Sequence, residues 1–361
     1  MKLKVAIIFG GRSAEHEISL ISATNIYHAV DKAVYEPVLL GVDKNNRWYY
    51  HADYASVEVD LAKSSYFDGA SPVYLKSEEG KFSLTDAQNH KTLNTFDVAF
   101  PVIHGTFGED GTLQGVLKAL DIPFVGPDVL GSAVAMDKDL TKRLLRDAGI
   151  PVADFFTLHR HHPTAHTYEE IKEKLGLPLF VKPANAGSSV GVSKVTDKTS
   201  FEAAVAEAFR FDNKILIEEA VIGKEVECAV LGNEYPEPSV LGEITASKDL
   251  YSYDAKYLSA DGAKLKIPAE ILETVSDSIR AIAVKAYQAI SCEGMSRVDF
   301  LLREDGTFVL NEINTLPGFT SISMYPKLWE QTGISYKDLI TKLIHFAIAR
   351  HDRDTQLLKK L

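Results

Sequence analysis

SRVDFLL (Ser296–Leu302) and VLNEINTLPG (Val309–Gly318) are the two stretches on which the fold turns. Both are rich in strand-favouring residues. Gly306 between them marks a tight turn, so they are expected to pair as an antiparallel hairpin. Residues two apart on a strand share a face. Arg297 and Asp299 therefore point one way, as do Glu312 and Asn314 on the second strand. If the strands are neighbours, Asp299, Glu312 and Asn314 converge as three oxygen donors beside one guanidinium. Such a set suits Mg²⁺, which keeps waters and takes further ligands from substrate phosphates. Arg297 would steady anionic oxygens. Leu316-Pro317-Gly318 then adds a turn that brings backbone N–H groups forward. On strand spacing alone, the polar outer face of an ordinary hairpin reads the same way.

Working outward, the chain opens differently. Val5–Phe9 is a short apolar strand that stops at Gly10-Gly11 and passes into a helical pattern over Ile18–Val30, the start of a parallel α/β unit. Pro37–Val42 and Phe96–Val102 read as further strands and Leu113–Leu120 as a helix. The polar segment from about His51 to Thr92 is an elaboration expected to be β-rich. Ser132–Ala148 reads as one helix closed by Gly149 and Pro151. Strands are expected at Phe155–Leu158 and Leu179–Val181, with helices at Thr167–Leu175 and Thr199–Phe209. A third block is expected from near Lys214. It has strands at Lys214–Glu218, Val226–Leu231, Arg297–Leu302 and Phe308–Asn314, a helix over Ile271–Ile290 and a closing helix over Tyr336–Arg350.

With 361 residues the chain has room for two or three domains. Its 39 basic and 50 acidic residues give a net charge of −11, which argues against a nucleic-acid or membrane-surface binder. Cys228 and Cys292 lack CxxC spacing and read as buried free thiols. No stretch approaches a membrane span, and the apolar run before Gly10 is too short for a signal peptide. A reducing cytoplasm is the expected compartment.

Four further constellations stand out. Gly187-Ser188-Ser189-Val190-Gly191 follows Lys182-Pro183, and small residues beside a lysine can cradle phosphate. It is not a Walker A loop, and a plain hairpin would look alike. Lys138, Lys142 and Arg143 lie at helical spacings, which ordinarily means a solvated face. LIEEAVIGKEVECAVL (Leu216–Leu231) reads as strand, connector, strand, with Glu218 and Glu225 beside the connector, as any hairpin might place them. In GGRSAEHEIS (Gly10–Ser19), Glu15 at a helix N-terminus would repel phosphate but suit an ammonium. His104, just after a strand, sits where open α/β sheets hold ligands, although a lone histidine is more often structural.

The ordered set is what identifies a family. GGRSAEHEIS, HGTFGEDGTLQG, MDKDLTK, KPANAGSSVGVSKV, LIEEAVIGKEVECAVL, YDAKYL, RVDF and NEINTLPGFTSISMYP together resemble the D-alanine–D-alanine ligases of the ATP-grasp superfamily, from about Lys4 to Arg350. The resemblance implies an α/β and α+β fold: an N-terminal parallel, Rossmann-like substrate domain (1–126), a central ATP-grasp subdomain (127–216) and a C-terminal one with metal site and mobile loop (217–361). It implies that ATP phosphorylates one D-alanine and that the amine of a second attacks the acyl phosphate. By the same resemblance Lys138, Lys182, Ser189 and Lys256 meet ATP phosphates. Glu218, Ala220, Val221 and Glu225 meet adenine and ribose. Asp299, Glu312 and Asn314 hold two Mg²⁺ ions, or Mn²⁺, with Glu312 also at the nucleotide. Arg297 and the Gly318 N–H stabilise the oxyanion. Glu15 with His104 anchors the first ammonium, and Ser323 with the Met324 N–H holds the second carboxylate. Tyr257 completes a trio with Ser188 and Glu15 in the loop Tyr251–Gly262. Tyr257 favours an amine acceptor over a hydroxyl.

A homodimer in the cytoplasm, serving peptidoglycan precursor synthesis, is also implied. The rivals are a related ATP-grasp ligase making D-alanyl-D-lactate or another dipeptide, and a non-catalytic nucleotide binder on the same scaffold. A Rossmann dehydrogenase is disfavoured because no G-x-G-x-x-G is present.

Overall fold

The computed structural model describes residues 2–54, 59–63, 66–246 and 263–357. In the first strand, β1 (Leu3–Gly10), side chains alternate between two cores. Val5, Ile7 and Phe9 pack on one side, Ala6 and Ile8 on the other. A strand buried on both faces reads as a continuous apolar run. β1 lies parallel to both β2 (Tyr35–Val42) and β7 (Val98–Pro101). Helix α1 (His16–Ala29) and helix α2 (Thr112–Ala119) place buried residues in the two cores, one in each.

The elaboration after β2 is β-rich, as expected. It comprises β3 (Trp48–Tyr50), β4 (Ser71–Glu78), β5 (Lys81–Asp86) and β6 (Thr92–Phe96), all antiparallel. The seven-stranded order is β6-β5-β4-β3-β2-β1-β7. The single strand expected over Phe96–Val102 is corrected here, because β6 and β7 are separated by Asp97 alone. That one residue carries the chain between opposite edges of the sheet, so the sheet curls until its edges meet beside Lys4. The Lys4 N–H donates to Asp97 Oδ2 at 2.7 Å and Lys4 Nζ to Asn94 Oδ1 at 2.9 Å.

The helix expected over Ser132–Ala148 is two helices, α3 (Val129–Met136) and α4 (Lys138–Asp147). The break falls at Asp137, whose extended backbone and side-chain acceptance of the Leu140 N–H make it the cap of α4. A four-stranded antiparallel sheet follows, β10-β9-β11-β8, built from β8 (Phe155–His159), β9 (Leu179–Pro183), β10 (Ser193–Val195) and β11 (Lys214–Glu219). Helices α5 (Tyr168–Leu175) and α6 (Lys198–Ala208) complete its core. β11 was expected to open the third block. It pairs with β8 and β9 instead, so Leu216–Leu231 is not a hairpin but a crossing from one sheet to the next.

The third sheet runs β14-β13-β12-β15-β16. Its strands are β12 (Lys224–Gly232), β13 (Glu237–Ala246), β14 (Ala263–Lys266), β15 (Gly294–Leu302) and β16 (Phe308–Asn314). Helix α7 (Glu273–Ala289) packs on it. Helices α8 (Met324–Thr332) and α9 (Tyr336–Thr355) fill the space between this sheet and the first, sharing one core with Val5, Ile7 and Phe9. The sequence reading missed β10, β13, β14 and α8. Arg350 on α9 is buried and donates to Gly126 O at 2.5 Å and Phe124 O at 2.8 Å.

Candidate active site

Strands β12, β15 and β16 build the acidic wall of a cleft. Glu227 pairs across β12–β15 with Asp299, which pairs across β15–β16 with Glu312; Arg297 pairs with Asn314. The expected hairpin convergence is therefore present. A bulge positions it: Phe300 faces Leu310, Asp299 faces Glu312, and Asn311 is the extra residue. Strict alternation would put Glu312 on the same side as the buried Leu310. The bulge turns Glu312 and Asn314 to the opposite face, a common device beside active sites. Asn314 Nδ2 donates to Asp299 Oδ2 at 2.9 Å, and Arg297 grips Asp299 through Nε and Nη2 at 2.8 and 2.7 Å. Arg297 Nε also lies 3.0 Å from Glu227 Oε2. Carboxylate oxygens of Glu225, Glu227 and Asp299 lie within 4.8 Å of one another. Glu227 was not singled out from the sequence.

The opposite wall is basic. Lys182 on β9 meets Glu218 on β11 at 2.9 Å, and Lys142 on α4 reaches the same oxygen at 3.4 Å. Burial pushes the Glu218 carboxyl up, but the two ammoniums outweigh it and hold it below the ordinary range. Lys138 opens α4 and donates to Ala186 O at 2.6 Å, tying the helix to the glycine-serine loop. These walls enclose a cleft of about 280 Å³, whose lining includes Lys138, Lys182, Ser189, Val221, Glu225 and Glu312. Ala220 lies in the adjoining connector, where its N–H donates to Pro178 O at 3.3 Å.

The glycine-serine loop reaches the N-terminal sheet. Ser188 and Ser189 hold φ of 51° and 58°, conformations costly for residues with a Cβ. Ser188 Oγ donates to Glu15 Oε1 at 2.5 Å. Glu15 is buried at the start of α1, crowded by Gly105, where an added Cβ would stand 2.6 Å from Glu15 Oε2. His104 is buried beside it and burial lowers its pKa, so the ring is neutral. Because a carbonyl can only accept, Nδ1–H donates to Leu316 O at 2.9 Å, leaving Nε2 to accept from Ser22 Oγ at 3.1 Å.

Glu109, missed from the sequence, answers His104. Its Oε1 accepts the Leu316 N–H at 2.9 Å and its Oε2 the Gly105 N–H at 2.6 Å. The Leu316 N–H is thus committed rather than presented to a ligand. Burial first, then the charge of Glu15, pushes Glu109 up to about 8. Beyond this clamp, Gly318 packs against Ser323: a Cβ there would meet Ser323 Oγ at 2.7 Å. Ser323 caps α8 and Met324 is its first residue, so their backbone sits at a helix N-terminus, a natural anion site. Lys256 and Tyr257 lie outside the described residues.

A family model for the D-ala D-ala ligase N-terminus matches residues 4–127, and one for the D-ala D-ala ligase C-terminus matches 144–345. The chain belongs to the D-alanine–D-alanine ligase family. The D-alanine–D-alanine ligase A of Escherichia coli K12 is 52% identical over 358 residues, spanning 99% of this chain and 98% of that protein. The D-alanine–D-alanine ligase of Shouchella clausii is 51% identical over 364 residues, spanning 99% and 97%. Among solved structures, the D-alanine–D-alanine ligase of Coxiella burnetii superposes with a TM-score of 0.86 at 37% identity, covering 98% of this chain and 96% of that one. The VanG D-Ala:D-Ser ligase of Enterococcus faecalis gives 0.86 at 36% identity, covering 96% and 100%. The family has the ATP-grasp fold, and the expected architecture is met. No described helix of this ligase-family chain is long and apolar enough to cross a membrane.

Proposed function

We propose that the protein is an ATP-dependent ligase that joins two D-alanines into D-alanyl-D-alanine for peptidoglycan precursors. The observation behind it is the meeting, around one cleft, of ammoniums from β9 and α4 and carboxylates from the third sheet, with Glu15 at the start of α1 bonded to the glycine-serine loop. In this reading a carboxylate oxygen of the first D-alanine attacks the γ-phosphorus of ATP, and ADP leaves. The amine of the second D-alanine then attacks the acyl carbon, loses a proton and expels phosphate.

Lys138, Lys182 and the N–H groups around Ser189 hold the phosphates. Glu218, Ala220, Val221 and Glu225 surround adenine and ribose, and Lys256 adds a phosphate contact. Glu15, with neutral His104 beside it, anchors the first ammonium. Arg297 and the Gly318 N–H meet the negative oxygen of the tetrahedral intermediate. Ser323 and the Met324 N–H hold the second carboxylate. Glu15, Ser188 and Tyr257 form the polar trio near the attacking amine.

Asp299, Glu312 and Asn314 are hard oxygen donors brought to one face by the bulge, a set that fits two Mg²⁺ or Mn²⁺ ions. Once bound, such ions offset phosphate charge during transfer. The division into residues 1–126, 127–216 and 217–361, the homodimer and the cytoplasmic setting belong to the same reading.

Incubation of the pure protein with ATP, Mg²⁺ and D-alanine tests it. ADP and the dipeptide are expected in equal amounts, and D-lactate should not replace the second D-alanine at neutral pH. Absence of D-alanine-dependent phosphate release would sink the reading.

A further inference from the structure

Lys142 lies behind the cleft rather than in it. It is 1% exposed and is not among the residues lining the cavity, whereas Lys182 and Glu218 both are. Its Nζ and that of Lys182 approach the same Glu218 oxygen, at 3.4 and 2.9 Å. Burial lowers the Lys142 pKa, as does the neighbouring Lys182, while Glu218 and Glu312 raise it. A buried ammonium is tolerated only where opposite charge holds it. Here one carboxylate serves two ammoniums, so these three side chains sum to one positive charge, carried into the phosphate part of the cleft by Lys182.

We propose that Lys142 is a positioning residue for the nucleotide: by engaging Glu218 from behind, it leaves Lys182 charged toward the polyphosphate. Without Lys142, the pair that Lys182 already forms with Glu218 at 2.9 Å would carry no net charge, and the floor of the cleft would lose its attraction for phosphate. Lys142→Arg keeps the arrangement, because a guanidinium can still meet the carboxylate.

The inference rests on reading the cleft as a nucleotide site. Wild-type binding of magnesium tripolyphosphate and of adenosine, followed by calorimetry, tests that premise by itself. Lys142→Met and Lys142→Gln should then weaken tripolyphosphate by at least tenfold while adenosine stays within threefold. The KM for ATP should rise more than kcat falls, and Lys142→Arg should stay within threefold of wild type throughout. Equal losses for tripolyphosphate and adenosine, or no loss for either, would overturn the role. Should neither uncharged variant fold, Lys142→Met combined with Glu218→Gln removes the buried pair together. That double variant must bind tripolyphosphate at least as tightly as wild type, and weaker binding counts against the proposal.

Discussion

Glu109 links a proton to both the fold and the site. In an unfolded chain its carboxyl titrates near 4.5, and in the folded protein at about 8. Between those values the folded state holds a proton that the unfolded state has released. The contribution is therefore fully present below pH 4.5 and is lost as pH rises through about 8. Glu109→Gln removes this slope. Its melting temperature relative to wild type should be more favourable at pH 9 than at pH 5, and a difference that stays flat across that range would refute the assignment. Arg297 is the second residue whose role can be isolated. Removing an oxyanion donor typically lowers kcat by about 10²–10³. Arg297→Met should show a loss of that size with KM for ATP little changed, and near-normal turnover would remove it from the chemistry. Of the two, only Arg297 could be picked out from the sequence, because Asp299 two residues on marks its strand face. Glu109 stands five residues after His104 in a loop with no periodicity, and its partner Leu316 is more than two hundred residues away. Lys142 reads as a solvated helix position for the same reason: the charge that holds it, Glu218, comes from β11, distant in sequence.

Among the elements, the β15–β16 hairpin was readable, since Gly306 and the paired i, i+2 polar residues state its register. The bulge at Asn311 was not, because nothing local separates an extra residue from a regular strand. Helix α8 was missed since Pro326 in its first turn resembles a breaker, although proline is tolerated there. Its junction with the preceding turn can be tested. Gly318→Ala would push Ser323 Oγ from its place, and with it the bond from the Thr320 N–H at 3.0 Å. The KM for the second D-alanine should rise severalfold or more, while ATP affinity stays near wild type. Steady-state kinetics in both substrates checks this, and equal shifts for the two would point to general damage instead. The crossing from β11 to β12 was misread as a hairpin because strand pairing across sheets leaves no trace in local spacing.

Arg350 ties the last described helix to the end of the first sheet and stacks on Phe124 with its guanidinium 4.5 Å from the ring centroid. Arg350→Met would strand two buried carbonyls, at a cost of about 2–3 kcal/mol. Thermal denaturation should show a melting point several degrees lower, with kcat for the remaining folded enzyme unchanged; an unaltered melting point would show that the latch is dispensable. The shared core has a further consequence during synthesis. Val5, Ile7 and Phe9 leave the ribosome early, yet Leu339, Ile340, Leu343 and Ile344, which cover that face, are translated more than three hundred codons later. Until then α1 covers that face of the nascent N-terminal sheet without α9, so a transcript truncated before α9 should yield a chaperone-bound, aggregation-prone product rather than a folded fragment.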